Sequence, residues 1–320
     1  MGLLSVEDLK TYYFTGAGQV KAVDGVSFTL DKGESLGIAG ESGCGKSTLG
    51  LSLIRLVKGG GIVGGEIKLY DKSLLTLSDR ELNELRWKRI SLISQAAMGA
   101  LNPVYSVGAQ IVEAIRAHSE ASKKSAWERA RSLLREVDID PMRATNYPHE
   151  LSGGMRQRAM IAMALALEPD LVIADEPTTA LDVVTQAQVI NLLKTLRQRL
   201  KVSIMLISHD LSILGQACNR VIIMYAGKVA EVGDVNSLFR HPRHPYTKAL
   251  LTSFPDIKGE RKALTGLSGS PPDLLNPPAG CRLHPRCPAV MDICGKDEPR
   301  LVQISEDHQA ACHLVGEGGR

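Results

Sequence analysis

Hydrophobic and polar positions alternate along this chain in short blocks that predict strands and helices in turn. Val20–Leu30 and Glu66–Tyr70 show the alternation typical of strands with one buried face. Compact apolar runs, which predict fully buried strands, occupy residues 36–39, 90–94, 171–174 and 203–207. We expect the early strands to form an antiparallel sheet, and the buried runs to form a parallel core sheet.

Helical periodicity fills the spaces between these strands. Apolar residues share one face over 125–137 and again over 189–200, and a third helix is predicted over Ala159–Leu167. The stretch directly after Gln95 has no clear period and is predicted to be irregular. The fold class is therefore α/β, with a largely helical insert at about 96–166 and ligands at the carboxyl ends of the parallel strands.

A glycine-rich segment between the buried strand 36–39 and the next helix fits G-x-x-x-x-G-K-[ST], the pattern of a phosphate-binding loop. Its glycines let the backbone N–H groups turn towards an anion, Lys46 is placed to reach the β- and γ-phosphates, and Ser47 to ligate Mg²⁺. The alternative interpretation is a glycine-rich turn that is followed by Lys-Ser by chance. The strand and the helix predicted on either side argue against it. The nucleotide-binding candidates here are Gly40, Glu41, Ser42, Gly43, Cys44, Gly45, Lys46, Ser47 and Thr48.

Polar side chains end three of the predicted strands. Asp175 is placed to hold Mg²⁺ and Glu176 to orient an attacking water, whereas Gln95 could touch both the metal and that water. His209 is placed to hydrogen-bond the γ-phosphate. A single glutamine or histidine at a strand end is more often structural, so their order around a phosphate loop carries the argument.

A second anion-binding surface is predicted where Ser152, Gly153 and Gly154 open a helix. A site built around a single phosphate loop does not need a second anion-binding surface from the same chain. The sequence therefore favours a head-to-tail dimer that clamps each nucleotide between the loop of one subunit and the Ser-Gly-Gly of the other.

Composition narrows the class of protein. The 320 residues are 23% charged and 44% hydrophobic, typical of a soluble globular protein, and a net charge of +3 does not indicate a nucleic-acid partner. We expect neither a secretory signal nor a transmembrane helix, because the most apolar segment, 160–174, is broken by Glu168, Pro169 and Asp170. A cytoplasmic location follows, where six cysteines indicate metal binding or free thiols instead of disulfides.

Four cysteines, Cys281, Cys287, Cys294 and Cys312, follow a Pro/Gly-rich loop at 268–280. Five, six and seventeen residues separate neighbours, and without a C-x-x-C pair the spacing differs from ordinary zinc sites. A [4Fe-4S] cluster tolerates such spacings and would hold together a tail too small for its own core. Zn²⁺ and free thiols remain the alternatives.

These motifs in this order resemble the ATP-binding-cassette ATPases over about residues 3–240. The resemblance implies ATP and Mg²⁺ as ligands, and it makes Tyr13, within the Tyr12–Phe14 cluster, the residue that stacks on adenine. It implies further roles that follow the family's motifs: Gly40–Thr48 as the Walker A loop, Gln95 as the Q-loop residue, Leu151–Gln157 as the signature, Asp175 as the Walker B metal partner, Glu176 as the catalytic base, Asp182 as the D-loop carboxylate and His209 as the switch histidine.

The tail is similar to the carboxyl-terminal extension of ATPase subunits from oligopeptide and dipeptide importers. The similarity rests on HPRHPYTKAL from His241, the GCRLHPRCP stretch and Ala311–His313. In that family four such cysteines hold an iron-sulfur cluster. We therefore divide the chain into a cassette at 1–240 and an extension at 241–320.

The resemblance implies an ATP-hydrolysing motor on the cytoplasmic face of the cell membrane, attached peripherally. Its expected partners are two membrane permease subunits, a second related ATPase in a heterodimer or homodimer, and an extracytoplasmic substrate-binding protein. Peptides are the expected cargo, with oligosaccharides or nickel as alternatives. The Ala96–Ala97 pair departs from the family pattern and concerns docking to the permease.

Two other classes fit less well. Soluble cassette ATPases of DNA repair carry long coiled coils between the motifs, and those of translation carry a second cassette; the sequence has neither. An electron-transfer role would need a second redox motif, and none is visible.

Overall fold

The computed structural model describes residues 2–95, 97–252 and 267–316, which form an α/β protein with two compact units. The first unit consists mainly of Leu74–Ile207 with the short segment Leu30–Ser35. The second consists of Leu4–Thr29, Leu36–Ser73 and the described part of the chain after Ile207. Among the described residues, no helix is long and apolar enough to cross a membrane.

The strands of the described residues are β1 Gly2–Thr15, β2 Gly18–Asp31, β3 Ser35–Ala39, β4 Gly60–Leu69, β5 Lys72–Ser73, β6 Ile90–Ile93, β7 Leu171–Asp175, β8 Ser203–Ile207, β9 Arg220–Tyr225, β10 Lys228–Asp234, β11 Val302–Ser305 and β12 His308–Ala310. The α-helices are α1 Lys46–Leu53, α2 Asp79–Leu85, α3 Ala97–Ala100, α4 Val107–His118, α5 Lys123–Glu136, α6 Gly153–Ala164, α7 Val183–Leu200, α8 Leu211–Ala217, α9 Val235–Arg240, α10 Pro245–Thr252 and α11 His313–Gly316.

The early strands form a four-stranded sheet in the order β2-β1-β4-β5, in which β1 and β4 run antiparallel, as predicted. Strand β1, which contains Tyr12–Phe14, was not among the predicted strands, the first of which was Val20–Leu30. The reason is a register shift between Glu7 and Lys10, with Asp8 at a φ of 45°. This irregularity breaks the period-two pattern by which a strand is recognised.

The apolar runs form the predicted parallel strands. In the first unit β6, β7 and β8 are parallel neighbours, and every residue of β7 and β8 is buried. In the second unit β3 runs parallel to β9, and β10, β12 and β11 continue antiparallel beyond it. No pattern in the sequence predicts β11 and β12, because strands of four and three residues are too short for a period.

The helical insert between β6 and β7 is present in the first unit. Helix α5 matches the predicted pattern and begins after the cap Ser122, whose side chain accepts from the backbone N–H of Ser125. The stretch after Gln95, predicted to be irregular, contains α3 and the start of α4. Helix α6 begins at Gly153, six residues before the predicted Ala159. Ala96 lies outside the described residues, so the expected effect of the Ala96–Ala97 pair on docking to the permease stays a prediction.

Candidate nucleotide-binding site

The phosphate loop joins β3 to α1 in the second unit, and its shape depends on two glycines. Gly45 has a φ of +105°, and an added Cβ would lie 1.9 Å from the carbonyl oxygen of Ala22. Gly40 has a φ of +148°, and its Cβ would lie 2.2 Å from the carbonyl oxygen of Met224. Both positions therefore require glycine for conformation and for space.

Lys46 is buried and turns back over the loop that precedes it. Its Nζ donates to the carbonyl oxygens of Gly40 at 2.8 Å and Glu41 at 3.0 Å. Helix α1 begins at Lys46, so its free N–H groups open at the same place. Burial raises the pKa of the Cys44 thiol, which therefore stays protonated and uncharged.

Of the three aromatic candidates for the adenine, the structure brings Tyr13 next to the loop. Its hydroxyl lies 3.1 Å from Oγ1 of Thr48 in α1. The Tyr12 hydroxyl donates instead to Asp24 at 2.6 Å, and burial together with this carboxylate raises the pKa of Tyr12 to about 12. Phe14 is 56% exposed. The sequence could not separate these neighbours, because only the bulged register of β1 decides which side chain faces α1.

The predicted carboxylates follow β7 in the first unit. Asp175 is the last residue of the strand and is buried. Glu176 has a left-handed φ of 46°, and its N–H donates to the carbonyl of Ile207 at 2.9 Å. Its Oε2 accepts from Nε2 of Gln95 at 3.2 Å and from Oγ1 of Thr179 at 2.8 Å. The structure thus brings Gln95 and Glu176 together and adds Thr179, for which the sequence held no signal.

Ser152 caps α6 at the predicted second anion surface. It is exposed, and its Oγ accepts from the backbone N–H of Met155 at 3.3 Å. A Cβ added to Gly154 would lie 2.5 Å from Cγ2 of Thr185, so this position needs glycine for space. Gln157 is buried, and its Nε2 has no hydrogen-bond partner among the described residues.

Asp182 caps α7 and so has a structural role. It accepts from the N–H of Thr185 at 2.9 Å and from the Thr185 hydroxyl at 2.6 Å, and these bonds lower its pKa. His209 comes two residues after β8, is exposed and belongs to the second unit. The second unit therefore contains Tyr13, the phosphate loop and His209, and the first unit contains the remaining nucleotide-site candidates.

The four tail cysteines are free thiols in one neighbourhood. The backbone N–H of Cys281 donates to the carbonyl of Cys294 at 2.8 Å. Burial raises the pKa of Cys281 to about 11, and the other three cysteines add to this shift. Within residues 2–95, 97–252 and 267–316, however, no three His, Cys, Asp or Glu side chains are arranged to hold a metal ion. The thiols are gathered, but they do not form a coordination site as they stand.

Comparison with known proteins decides the family. A family model described as ABC transporter matches residues 23–179, and one described as oligopeptide/dipeptide transporter, C-terminal region, matches residues 230–294. The oligopeptide transport ATP-binding protein AppD of Bacillus subtilis is 47% identical over 321 residues, covering 99% of this chain and 98% of that protein. The chain belongs to the ABC transporter family.

Further relatives of this ABC protein agree. The dipeptide transport ATP-binding protein DppD of Escherichia coli is 43% identical over 324 residues, covering 100% of this chain and 99% of DppD. Among solved structures, the dimeric post-hydrolysis state of the ATP-binding cassette MJ0796, bound to ADP and Pi, has a TM-score of 0.66 and 27% identity, covering 72% of this chain and 98% of that one. The predicted cassette ATPase is confirmed, and the chain is an ATP-hydrolysing ABC subunit.

Proposed function

We propose that this ABC ATPase drives the uptake of di- and oligopeptides. The observation that carries the proposal is the match of relatives named for peptide transport over nearly the whole chain, including the region 230–294 beyond the cassette. The subunit works peripherally on the cytoplasmic face of the membrane, with two permease subunits and a second related ATPase. An extracytoplasmic binding protein delivers the substrate.

The roles of the site residues belong to the same proposal. Lys46 and the N–H groups of the phosphate loop bind the β- and γ-phosphates, and Tyr13 stacks on the adenine. Ser47, Gln95 and Asp175 would hold Mg²⁺, which would supply positive charge to offset the charge on the phosphates. Glu176 accepts the proton of the attacking water. Support comes from its carboxylate, which Gln95 and Thr179 already orient.

The remaining roles concern the γ-phosphate from two sides. His209 donates to it from the chain that binds the nucleotide. The Ser152–Gly154 helix start approaches it from the opposing subunit, which also supplies the D-loop residue Asp182. Support for the second surface comes from the exposed Ser152 cap, which leaves the first N–H groups of α6 open to an anion.

We place the permease contact on the helical part of the first unit. Val104 and Tyr105 are 68% and 55% exposed, and Met142 is 80% exposed. The N–H of Val107 donates to the carbonyl of Asn146 at 2.9 Å, which holds these two segments side by side. Exposed apolar side chains at adjacent positions are typical of a protein interface.

We also propose that Cys281, Cys287, Cys294 and Cys312 hold a [4Fe-4S] cluster, with Zn²⁺ as the alternative. Their common neighbourhood supports this assignment, although the thiols must move to ligate a metal. Thiolate ligation would staple the extension at 241–320 to itself. Iron analysis and visible absorption of anaerobically purified protein test it: iron that is absent from a Cys287→Ser variant supports a cluster, and zinc in its place supports the alternative.

ATP hydrolysis by the assembled complex tests the cargo. Peptides added with the binding protein should raise the rate of phosphate release several-fold. Stimulation by oligosaccharides or by nickel, with none by peptides, would refute peptide uptake and leave the ATPase intact.

A further inference from the structure

Two residues of the region after the cassette, Arg286 and Tyr246, make three hydrogen bonds to one residue of the phosphate loop, Glu41. Arg286 binds its carboxylate with both terminal nitrogens, Nη1 to Oε2 at 2.9 Å and Nη2 to Oε1 at 3.2 Å. The Tyr246 hydroxyl accepts from the Glu41 backbone N–H at 2.7 Å. The backbone and the side chain of the same loop residue are therefore both held from the carboxyl-terminal side.

Arg286 is itself fixed in place. Its Nε donates to the carbonyl of Ser268 at 3.0 Å, and its Nη1 also lies 3.2 Å from the hydroxyl of Tyr225. The Arg286 side chain is only 8% exposed, and that of Glu41 is 27% exposed. A bidentate, largely buried arginine-carboxylate pair is both stronger and more directional than a surface ion pair.

Tyr246 is equally constrained. It is fully buried in α10, and its ring lies 4.6 Å from that of Tyr225 at an angle of 60°. Burial raises the pKa of Tyr246, so the phenol stays neutral. The two rings thus form a rigid support behind the phosphate loop.

The peptide between Gly40 and Glu41 connects these contacts to Lys46. Lys46 donates to the carbonyls of Gly40 and Glu41, the two residues on either side of the peptide whose N–H binds Tyr246. A displacement of Glu41 therefore moves the oxygens that orient the Lys46 ammonium. The network links Arg286 and Tyr246 to Lys46 through Glu41.

We propose that Arg286 and Tyr246 are positioning residues that preorganise the phosphate loop through Glu41 and thereby set its affinity for MgATP. This inference rests on the proposed role of Gly40–Ser47 as the ATP site. It makes the extension a working part of the nucleotide site in addition to a structural tail.

The test compares the dissociation constant of MgATP for purified full-length variants. Arg286→Gln and Glu41→Gln should each weaken binding roughly tenfold, and the double variant should be no weaker than either single one, because both remove the same pair. Tyr246→Phe keeps the ring and removes the acceptor, and should weaken binding several-fold. Arg286→Lys should fall between wild type and Arg286→Gln. Arg300→Gln, at an exposed arginine of the same segment, is the matched control and should bind as wild type.

A role in positioning also predicts which constant changes. At saturating ATP, phosphate release by the assembled complex with Arg286→Gln or Tyr246→Phe should stay within about twofold of wild type, because the loop is then held by its ligand. Unchanged MgATP affinity in both Arg286→Gln and Tyr246→Phe would overturn the inference, as would fully additive effects in the double variant. A wild-type chain that does not bind MgATP would refute the proposed ATP site itself.

Discussion

Glu176 sits in a left-handed backbone conformation that a residue with a side chain adopts at a cost of about 1 kcal/mol or more. The hydrogen bond from its N–H to Ile207 maintains this conformation, and Gln95 and Thr179 hold the carboxylate. Strain of this kind concentrates at functional sites. The geometry therefore agrees with a catalytic carboxylate directly after Asp175, the strand-end residue that we propose as a metal partner.

Replacing Glu176 separates binding from chemistry. Glu176→Gln keeps the shape and the bond from Thr179 but removes the proton acceptor, so phosphate release from this chain's site should fall by about 100-fold or more. The dissociation constant for MgATP should change little. Near-normal release in single-turnover measurements would remove Glu176 from its role.

Glycine in the phosphate loop provides both space for close packing and tolerance of a positive φ, and these two effects can be measured separately. Gly45→Ala should abolish MgATP binding, because its Cβ would overlap the carbonyl of Ala22. Gly43 also has a positive φ, +79°, but no atom lies within 4 Å of an added Cβ, so Gly43→Ala should cost only about 1 kcal/mol of strain. Titration calorimetry distinguishes the two, and equal losses of affinity would contradict the packing argument.

The motif spacing predicted that Lys46 begins the helix after β3 and that Glu176 follows the end of β7, as the structure has them, whereas their catalytic roles stay predictions. It could not choose Tyr13 over Tyr12, nor find the contact between Glu41 and Arg286. Those depend on register and on chain segments 245 positions apart, which no local pattern encodes.

The elements of the carboxyl-terminal region are joined to the cassette by a buried carboxylate. Glu231 in β10 is fully buried and accepts from the N–H groups of Arg243 and His244, at 2.7 and 3.0 Å, and from Nε2 of His308 at 2.6 Å. One side chain thus fixes the approach to α10 and the start of β12.

Removing this carboxylate should loosen both elements. Glu231→Ala leaves buried donors without an acceptor and should lower the free energy of unfolding by about 3 kcal/mol or more. Glu231→Gln keeps one acceptor oxygen and should lose less. Denaturant unfolding measures both, and equal stability of Glu231→Ala and wild type would exclude the anchoring role.

His244, at the start of the same segment, makes stability depend on pH. Burial lowers its pKa from 6.5 to about 4, so the unfolded chain binds a proton in this range and the folded chain does not. The free energy of unfolding should therefore be highest above pH 6.5 and should decrease by about 3 kcal/mol as the pH falls from 6.5 towards 4. Asn at this position can replace the Nδ1 acceptor without titrating. A His244→Asn variant with an unchanged pH profile would contradict the assignment.

Elements were predictable in proportion to their regularity. The buried runs located β3, β6, β7 and β8 to within about a residue, since four or more apolar residues between polar ends leave little freedom. Strand β1 was hidden by its bulge. The start of α6 was predicted from Ser152–Gly154, whereas the apolar pattern alone located the helix only from Ala159, because Gly153 and Gly154 are poor helix formers.

For the whole molecule, we propose that ATP is hydrolysed between two cassettes, each supplying a phosphate loop to one nucleotide and a Ser-Gly-Gly helix start to the other. The hydrophobic periodicity of one chain does not indicate which residues of a second chain complete its site. The sequence could indicate this arrangement only because it contains two anion-binding surfaces where one site needs one.

The most direct measurement is ATP hydrolysis by the purified complex with Ser152→Asp compared with Ser152→Asn. Both residues cap α6 as well as serine does, so both variants should fold with wild-type stability. Aspartate, however, places a negative charge where the γ-phosphate of the opposing nucleotide should bind. We expect the Ser152→Asp complex to lose about half of its activity or more and the Ser152→Asn complex to retain most of it. Hydrolysis at the full wild-type rate by the Ser152→Asp complex would show that the Ser-Gly-Gly helix start does not bind the γ-phosphate.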